Sequence, residues 1–319
     1  MASQYFVYSL NDSIESFFHD FTDATRQECD HLAQRLVGPP LEPVPIQGHF
    51  SYTVAAGDPE NRKIVQFRAG VSKLDMDTMR LAKQAHPRLV PTCTEHGTIG
   101  LSRPLSVYEM DIVRGSTCTT TRELDPRKTV GSLAGYFAES WIKRQPMHSP
   151  GDVQREYAEN LRLLRASLPA RFSKVVGQAH SQLWMLFSPS YPSALVHDDL
   201  TGLNMLVGDD GRITGVVDWA DARVLPFGKS LYALENALGS MGPKGWHYSD
   251  DRVVLEALFW QTFHRAIGDA TQEEKDAIQA SREIGILFQY GFIWEEGVRR
   301  PTREGDSTMR YLDAFLTDG

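Results

Sequence analysis

Between residues 197 and 221 the chain reads His197-Asp198-Asp199-Leu200-Thr201-Gly202-Leu203-Asn204, then two short β-rich runs around a turn, then Asp218-Trp219-Ala220-Asp221. No other stretch restricts the possible folds so strongly. The opening residues fit the spacing H-x-D-L-x-x-x-N. Met205-Leu206-Val207 and Ile213-Thr214-Gly215-Val216-Val217 are the β-rich runs, and Gly208-Asp209-Asp210-Gly211 between them is a turn cluster. Such a pattern predicts a β-hairpin. A hairpin brings the chain back to its starting point, so Asn204 and Asp218 are expected to face one space. Asp209 and Asp210 read as ordinary solvated turn residues.

The residue types fit one chemistry. In-line transfer of a γ-phosphoryl group needs an acceptor hydroxyl aimed at phosphorus and divalent cations on the phosphate oxygens. Asp199 is placed to accept or orient the hydroxyl proton. Asn204 and Asp218 offer a neutral and a charged oxygen, hard ligands that suit Mg²⁺. His197 reads as a brace for the loop.

Composition bounds the alternatives. The chain has 319 residues, 41% hydrophobic and 23% charged, enough for a large core and two lobes. A formal net charge of −8, a pI near 5.7 and no Lys/Arg block argue against nucleic acid or an anionic membrane as partner. Cys29, Cys93 and Cys118 are scattered and odd in number, which predicts a reducing compartment. No basic segment followed by an apolar one marks a signal peptide, and no apolar run has membrane-spanning length. These features predict a cytoplasmic protein.

Taken in order, residues 12–37 predict a helix, with capping-box spacing at Thr25 to Glu28 and a stop at Gly38-Pro39-Pro40. Residues 44–56 and 63–68 predict a β-hairpin with Gly48 inside its first strand. A glycine there lets a ligand approach, so Gly48 and Ser51 are candidates for a loop over nucleotide phosphates. Arg68, at the end of the second strand, is the candidate cation for the α/β-phosphates. Residues 74–86 predict a helix whose Asp75 or Asp77 can pair with that cation. Strands are expected over 97–101 and 104–110. The exit through Met110-Asp111-Ile112-Val113-Arg114-Gly115 suits a hinge whose backbone reads an adenine edge. Beyond residue 125 the periodicity is helical, over 130–143, 153–168, 172–187, 229–240, 251–267, 271–290 and 306–317. Few strands are expected there apart from the hairpin. Trp141 and Trp184 read as core, and His247 and His264 as structural. Tyr232, Glu235 and Trp246 are candidates to line an acceptor pocket. The expected organisation is a helical appendage over 1–40, a β-rich nucleotide-binding lobe over 41–114 and a mainly helical lobe over 115–319.

These residues together resemble the aminoglycoside-phosphotransferase/choline-kinase-type small-molecule kinases, most closely fungal members found near secondary-metabolite genes. The resemblance is carried by Gln47 to Val54, Ile64 to Arg68, Met110 to Gly115, His197 to Asn204, Ile213 to Ala222, Leu225-Pro226-Phe227-Gly228, Tyr290-Gly291-Phe292 and Arg310 to Leu316. It implies an α+β, protein-kinase-like bilobal fold with ATP between a small β-rich lobe and a larger helical one. It implies Asp199 as base, Asn204 and Asp218 as Mg²⁺ ligands, residues 109–111 as hinge, and a small alcohol as acceptor. Three positions depart from the family pattern. Asp198 stands where glycine is common, the phosphate cation is arginine instead of lysine, and the loop over 47–52 is glycine-poor. An added carboxylate beside Asp199 either raises the pKa of one of the two or binds a cationic acceptor. The departures leave two other readings open. One is ATP-independent acid/base chemistry by Asp198 and Asp199 on a biosynthetic intermediate. The other is a kinase-like protein without catalysis.

Overall fold

The computed structural model describes residues 8–118, 125–295 and 297–317. Packing divides the chain into two units, residues 1–83 with 90–113, and residues 84–89 with 114–319. The fold is mixed α+β: an antiparallel sheet dominates the first unit, and helices dominate the second.

The first unit begins with α1 (Leu10–Phe21) and α2 (Arg26–Leu36). It continues with β1 (Leu41–Pro43), β2 (Ser51–Ala56), β3 (Lys63–Arg68), α3 (Met76–Ala85), β4 (Cys93–Ile99) and β5 (Leu105–Asp111). The five strands form one sheet in the order β1-β2-β3-β5-β4. Ile14, Phe17, Cys29 and Ala33 from the two helices share one core with Tyr52, Val54, Val65, Phe67, Leu105 and Val107 of the sheet. The helices are therefore part of the sheet's hydrophobic layer.

Two expectations change here. The helix predicted over 12–37 is two helices, because residues 22–25 do other work. Asp23 accepts hydrogen bonds from the backbone N–H groups of Leu101, Ser102 and Arg103. Thr22 Oγ1 donates to the Arg103 carbonyl, 2.9 Å. Thr25 then starts α2 with the expected capping box to Glu28. The strand expected from residue 44 begins only at Ser51, since Pro45 lacks an N–H and the Gln47 side chain takes ladder positions on Val44 and Thr53. Gly48 thus lies in the β1–β2 loop.

The second unit holds β6 (Ser116–Thr117), α4 (Pro126–Ile142), α5 (Pro150–Ser167), α6 (Ser173–Gln182), β7 (Ser193–Val196), β8 (Met205–Val207), β9 (Ile213–Val216) and β10 (Arg223–Pro226). They are followed by α7 (Tyr232–Ala237), β11 (Gly239–Gly242), β12 (Gly245–Tyr248), α8 (Arg252–Ile267), α9 (Gln272–Tyr290), β13 (Phe292–Glu295), β14 (Val298–Pro301) and α10 (Met309–Leu316). The predicted hairpin is β8–β9, with β6 added beside β8. The capping box that opens α9 at Thr271 and Glu274 is formed. The β11–β12 and β13–β14 hairpins were not legible: their strands have four residues each, too few to show a period of two. Trp141 is core, but Trp184 is 62% exposed. Residues 183–187 form a 3₁₀ turn whose inner face is taken by Leu183 and Leu186, three residues apart. Among the described residues no helix is long and apolar enough to cross a membrane.

A close approach fixes α9. A Cβ on Gly285 would lie 1.9 Å from the Lys229 carbonyl oxygen. Gly285→Ala is expected to push α9 off the segment at residue 229 and to cost about 1–3 kcal/mol, read as a lower urea midpoint at unchanged m-value.

His86 is fully buried, between Glu139 (Nδ1 to Oε2, 3.1 Å) and Ser140 (Nε2 to Oγ, 3.2 Å). It stacks on Tyr136 with ring centroids 4.2 Å apart. Burial holds its imidazole below the ordinary 6.5, against the pull of Glu139. The folded pKa is thus lower than the unfolded one, so this contribution is present above 6.5 and is lost as pH falls through the folded value. The difference in melting temperature between wild type and His86→Gln is expected to shrink from about pH 7.5 to about pH 5.5.

Candidate functional site

β7, paired with β10, delivers the chain to His197. That ring is 1% exposed, and its Nε2–H donates to the Val217 carbonyl, 2.8 Å. It packs against Trp219, with centroids 4.7 Å apart. Trp219 in turn donates its indole N–H to the Val216 carbonyl, 3.0 Å. His197 therefore clamps the loop over 197–204 to the end of β9. Burial keeps it below its ordinary pKa, so it is a neutral brace.

The loop is wound by its own backbone. Thr201 N–H donates to the Asp199 carbonyl (2.9 Å), and Asn204 N–H to the Thr201 carbonyl (3.1 Å). The Asn204 Nδ2 group donates to both the Asp199 carbonyl (2.8 Å) and Asp199 Oδ2 (2.9 Å). With its nitrogen so engaged, the amide presents its oxygen as an acceptor. Val217 N–H donates to the Asn204 carbonyl, 3.0 Å, which carries the β8–β9 pairing one step further and leaves Asp218 as the next residue along the chain. Asp218 has φ 63° and ψ 63°, and it is the one non-glycine residue with positive φ among the described residues. Its side chain is exposed, as is that of Asp221.

Asp199 is half-buried, and burial pushes its carboxyl up to about 6. The charges of Asp218 and Asp221 push the same way, while hydrogen bonds from Asn204 and Gln289 oppose them. Three carboxylates in electrostatic reach of one another make a place for a cation. Among the described residues no group of three or more His, Cys, Asp or Glu side chains is gathered to hold a metal. An Asn oxygen and an Asp carboxylate alone fit Mg²⁺, which fills its octahedron with waters and phosphate oxygens.

Asp198 turns away from this chemistry. Its carboxylate forms an ion pair with Lys229, the two side chains being 19% and 13% exposed. Burial drags the Lys229 ammonium down, the charge of Glu156 opposes the shift, and Arg299 adds to it. Tyr232 is fully buried, and its hydroxyl accepts the Leu200 N–H (2.8 Å) and donates to the Asp198 carbonyl (3.3 Å). Glu235 is 3% exposed, ion-paired with Arg282, and accepts from the Tyr248 hydroxyl (2.8 Å). Arg282 also binds Glu256, 2.8 Å. Of the three acceptor candidates only Trp246 is half-exposed, in a ring cluster with Tyr248, Tyr311 and Phe315. Sequence reasoning missed Lys229 and Gln289. The signals were a lysine directly after the Leu225 to Gly228 block and a polar residue closing the apolar run Ile284 to Phe288.

The first unit holds the nucleotide candidates. Ser51 and Arg68 are cross-strand partners. Gln66 links them: its Nε2 donates to Ser51 Oγ (3.3 Å), and its Oε1 accepts from Arg68 Nη1 (3.1 Å). Arg68 is 2% exposed and also donates to the carbonyl and hydroxyl of Ser72. Asp75 and Asp77, expected near this cation, act elsewhere: Asp75 accepts from the Thr78 N–H, and Asp77 pairs with Arg80. Glu109, Met110 and Asp111 are paired with β3 on one side, and Glu109 and Met110 with β4 on the other. The Asp111 N–H donates to Thr92, 3.1 Å. The chain leaves the sheet at Ile112.

Lys229→Met strands a half-buried carboxylate and is expected to lose about 3 kcal/mol of stability. Adding Asp198→Asn is expected to restore at least half of that loss, as measured by urea unfolding of the two singles and the double.

Residues 51–228 match the phosphotransferase enzyme family (APH). No curated protein matches the chain. Among solved structures, aminoglycoside phosphotransferase APH(4)-Ia is 15% identical, with 83% of this chain and 90% of that one covered and a TM-score of 0.53. Spectinomycin phosphotransferase APH(9)-Ia, solved with ADP and spectinomycin, is 14% identical over 85% of this chain and 88% of that one, TM-score 0.51. Macrolide 2′-phosphotransferase MphH from Brachybacterium faecium is 17% identical over 83% and 91%, TM-score 0.51. At such identities the likeness is one of fold. The family match covers more than half of the sequence, and the chain belongs to the phosphotransferase enzyme family, on a kinase-like α+β fold.

Proposed function

We propose that this chain is an ATP- and Mg²⁺-dependent phosphotransferase acting on a hydroxyl group of a small molecule. The observation that carries the reading is the joined geometry of Asn204, Asp199 and Asp218: one amide bonded to the base, and a left-handed carboxylate one residue beyond its backbone partner. Asn204 and Asp218 hold Mg²⁺, which when bound supplies charge neutralisation on the phosphate oxygens. Asp199 takes the acceptor hydroxyl as hydrogen-bond donor through Oδ1, since Oδ2 is engaged by Asn204. The acceptor oxygen bonds to the γ-phosphorus, the bond from phosphorus to the β,γ-bridging oxygen breaks, and the hydroxyl proton passes to Asp199. A carboxyl raised towards neutrality suits that proton transfer. His197 positions the loop.

In the first unit, Gly48 and Ser51 belong to the loop over the phosphates, and Arg68, buried and bonded to Ser72 and Gln66, acts on the phosphates only through its charge. The adenine edge is read where the chain leaves the sheet, at 112–114 instead of 109–111, because the backbone of 109–111 is already laddered. The acceptor body lies against the Trp246 rings. Glu235, neutralised by Arg282, does not favour a polyamine there. The motifs that resemble fungal secondary-metabolism kinases support a specialised-metabolite alcohol, and the three scattered cysteines support a cytoplasmic setting. The ATP-independent reading loses its motive, since Asp198 is paired with Lys229 and is not half of an acid/base couple.

Asp199→Asn is expected to lower kcat by about 10²–10⁴-fold, with the MgADP-induced rise in melting temperature kept. Asp218→Ala is expected to lose both turnover and that rise. Near-wild-type turnover in Asp218→Ala, measured as ATP-dependent phosphorylation of any accepted alcohol, would overturn the assignment.

A further inference from the structure

The loop over 44–50 has a single glycine, Gly48, so backbone freedom does not shape it. Two other devices do. The Gln47 side chain bridges the mouth of the β1–β2 hairpin: its Nε2 donates to the Val44 and Thr53 carbonyls (2.9 and 3.0 Å), and its Oε1 accepts the Thr53 N–H (2.8 Å). The second device is α1. The Gln47 N–H donates to the Tyr8 hydroxyl, 2.7 Å, just before the helix starts. At the other end, Phe21 meets His49 and Phe50 edge-on, each at 5.3 Å between centroids, and those two rings lie 4.6 Å from each other. Ile14 and Phe17 anchor the middle of the helix in the core of the sheet. Tyr8, two residues before α1, and Phe21, its last residue, thus grip one loop from either end of the helix.

We infer that α1 is a positioning element for the nucleotide: through Tyr8 and Phe21 it holds the loop at 46–50 in its working shape, replacing the glycines that such loops otherwise use. This rests on the reading above that the loop covers nucleotide phosphates. Tyr8 and Phe21 are positioning residues. A loop ordered in advance loses less conformational freedom when the nucleotide arrives, so the brace acts on affinity and leaves the chemical step alone.

The test uses the full chain, with MgADP as the probe. Tyr8→Phe removes only a hydroxyl and is expected to weaken MgADP binding about fivefold, by titration calorimetry. Phe21→Ala is expected to weaken it further. In both, amide exchange at 47–50 speeds up, the KM for ATP rises, and kcat stays within about twofold. Ile14→Val, in the same helix but facing the sheet, lowers the melting temperature and leaves MgADP affinity unchanged. Should Phe21→Ala not fold, Tyr8→Phe carries the test alone. Affinity within twofold of wild type in Tyr8→Phe, or unchanged exchange at 47–50, overturns this inference and leaves the phosphotransferase reading standing. Failure of the wild type to bind MgADP overturns both.

Discussion

The hydrogen bond from Val217 N–H to the Asn204 carbonyl, with the Asn204 amide on Asp199, is the joint on which the second unit's chemistry depends. Each alone is an ordinary bond worth about 1 kcal/mol net. Together they bring three points of the chain to one place. Residue 199 follows β7, 204 directly precedes β8 and 218 follows β9. Around the joint nearly every polar group is engaged in keeping it still. His197 holds the Val217 carbonyl, Tyr232 holds the backbone at 198 and 200, and Trp219 holds Val216. Catalysis of group transfer is mostly positioning and electrostatics, so a rigid frame is the larger share of what a protein can contribute.

Charge is managed by pairing. The site is rich in carboxylates, and Asp198, Glu235 and Glu256 each have a cation beside them. Lys229 takes Asp198, and Arg282 takes Glu235 together with Glu256. Such pairs add little stability over apolar residues of the same shape, but breaking one is costly. What they do achieve is selective. Asp199, Asp218 and Asp221 are left as the local negative charge, and the carboxyl of Asp199 is raised first by burial and then by the charges of the other two. The aspartate at 198, a departure from the family pattern, is therefore accompanied by its own compensation.

How much of this was legible in the sequence follows from what sequence carries. The β8–β9 hairpin, both capping boxes and the long helices were readable because each rests on local spacing. The same holds for His197, Asp199, Asn204 and Asp218, whose order along a hairpin fixes their neighbourhood. Lys229 and Gln289 were not readable, since their partners lie 31 and 90 residues away and no period links them. Tyr232 and Glu235 were singled out as pocket residues, yet the first is tied to the catalytic loop and the second to Arg282. Polar residues on a helix look alike in sequence whether they face a ligand or brace a neighbour. The break at residues 22–25 has the same origin, because it exists to hold the turn at 101–103.

The backbone at Asp218 shows why the hairpin ends as it does. In a strand, residues two apart share a face. Val216 is 1% exposed, so a straight continuation of β9 would drive the carboxylate of residue 218 into the same buried layer. A lone carboxylate there is untenable. Reversing φ at 218 breaks the alternation: Asp218 swings to the exposed side, and Trp219, 2% exposed, takes the inner position against His197. A left-handed non-glycine residue costs on the order of 1–3 kcal/mol, and aspartate is among the side chains that tolerate it best. The burial of the Trp219 ring and its bond to Val216 supply the offset. Strain at the Asp218 carboxylate and the aromatic residue beside it are thus one device, and neither is intelligible without the other.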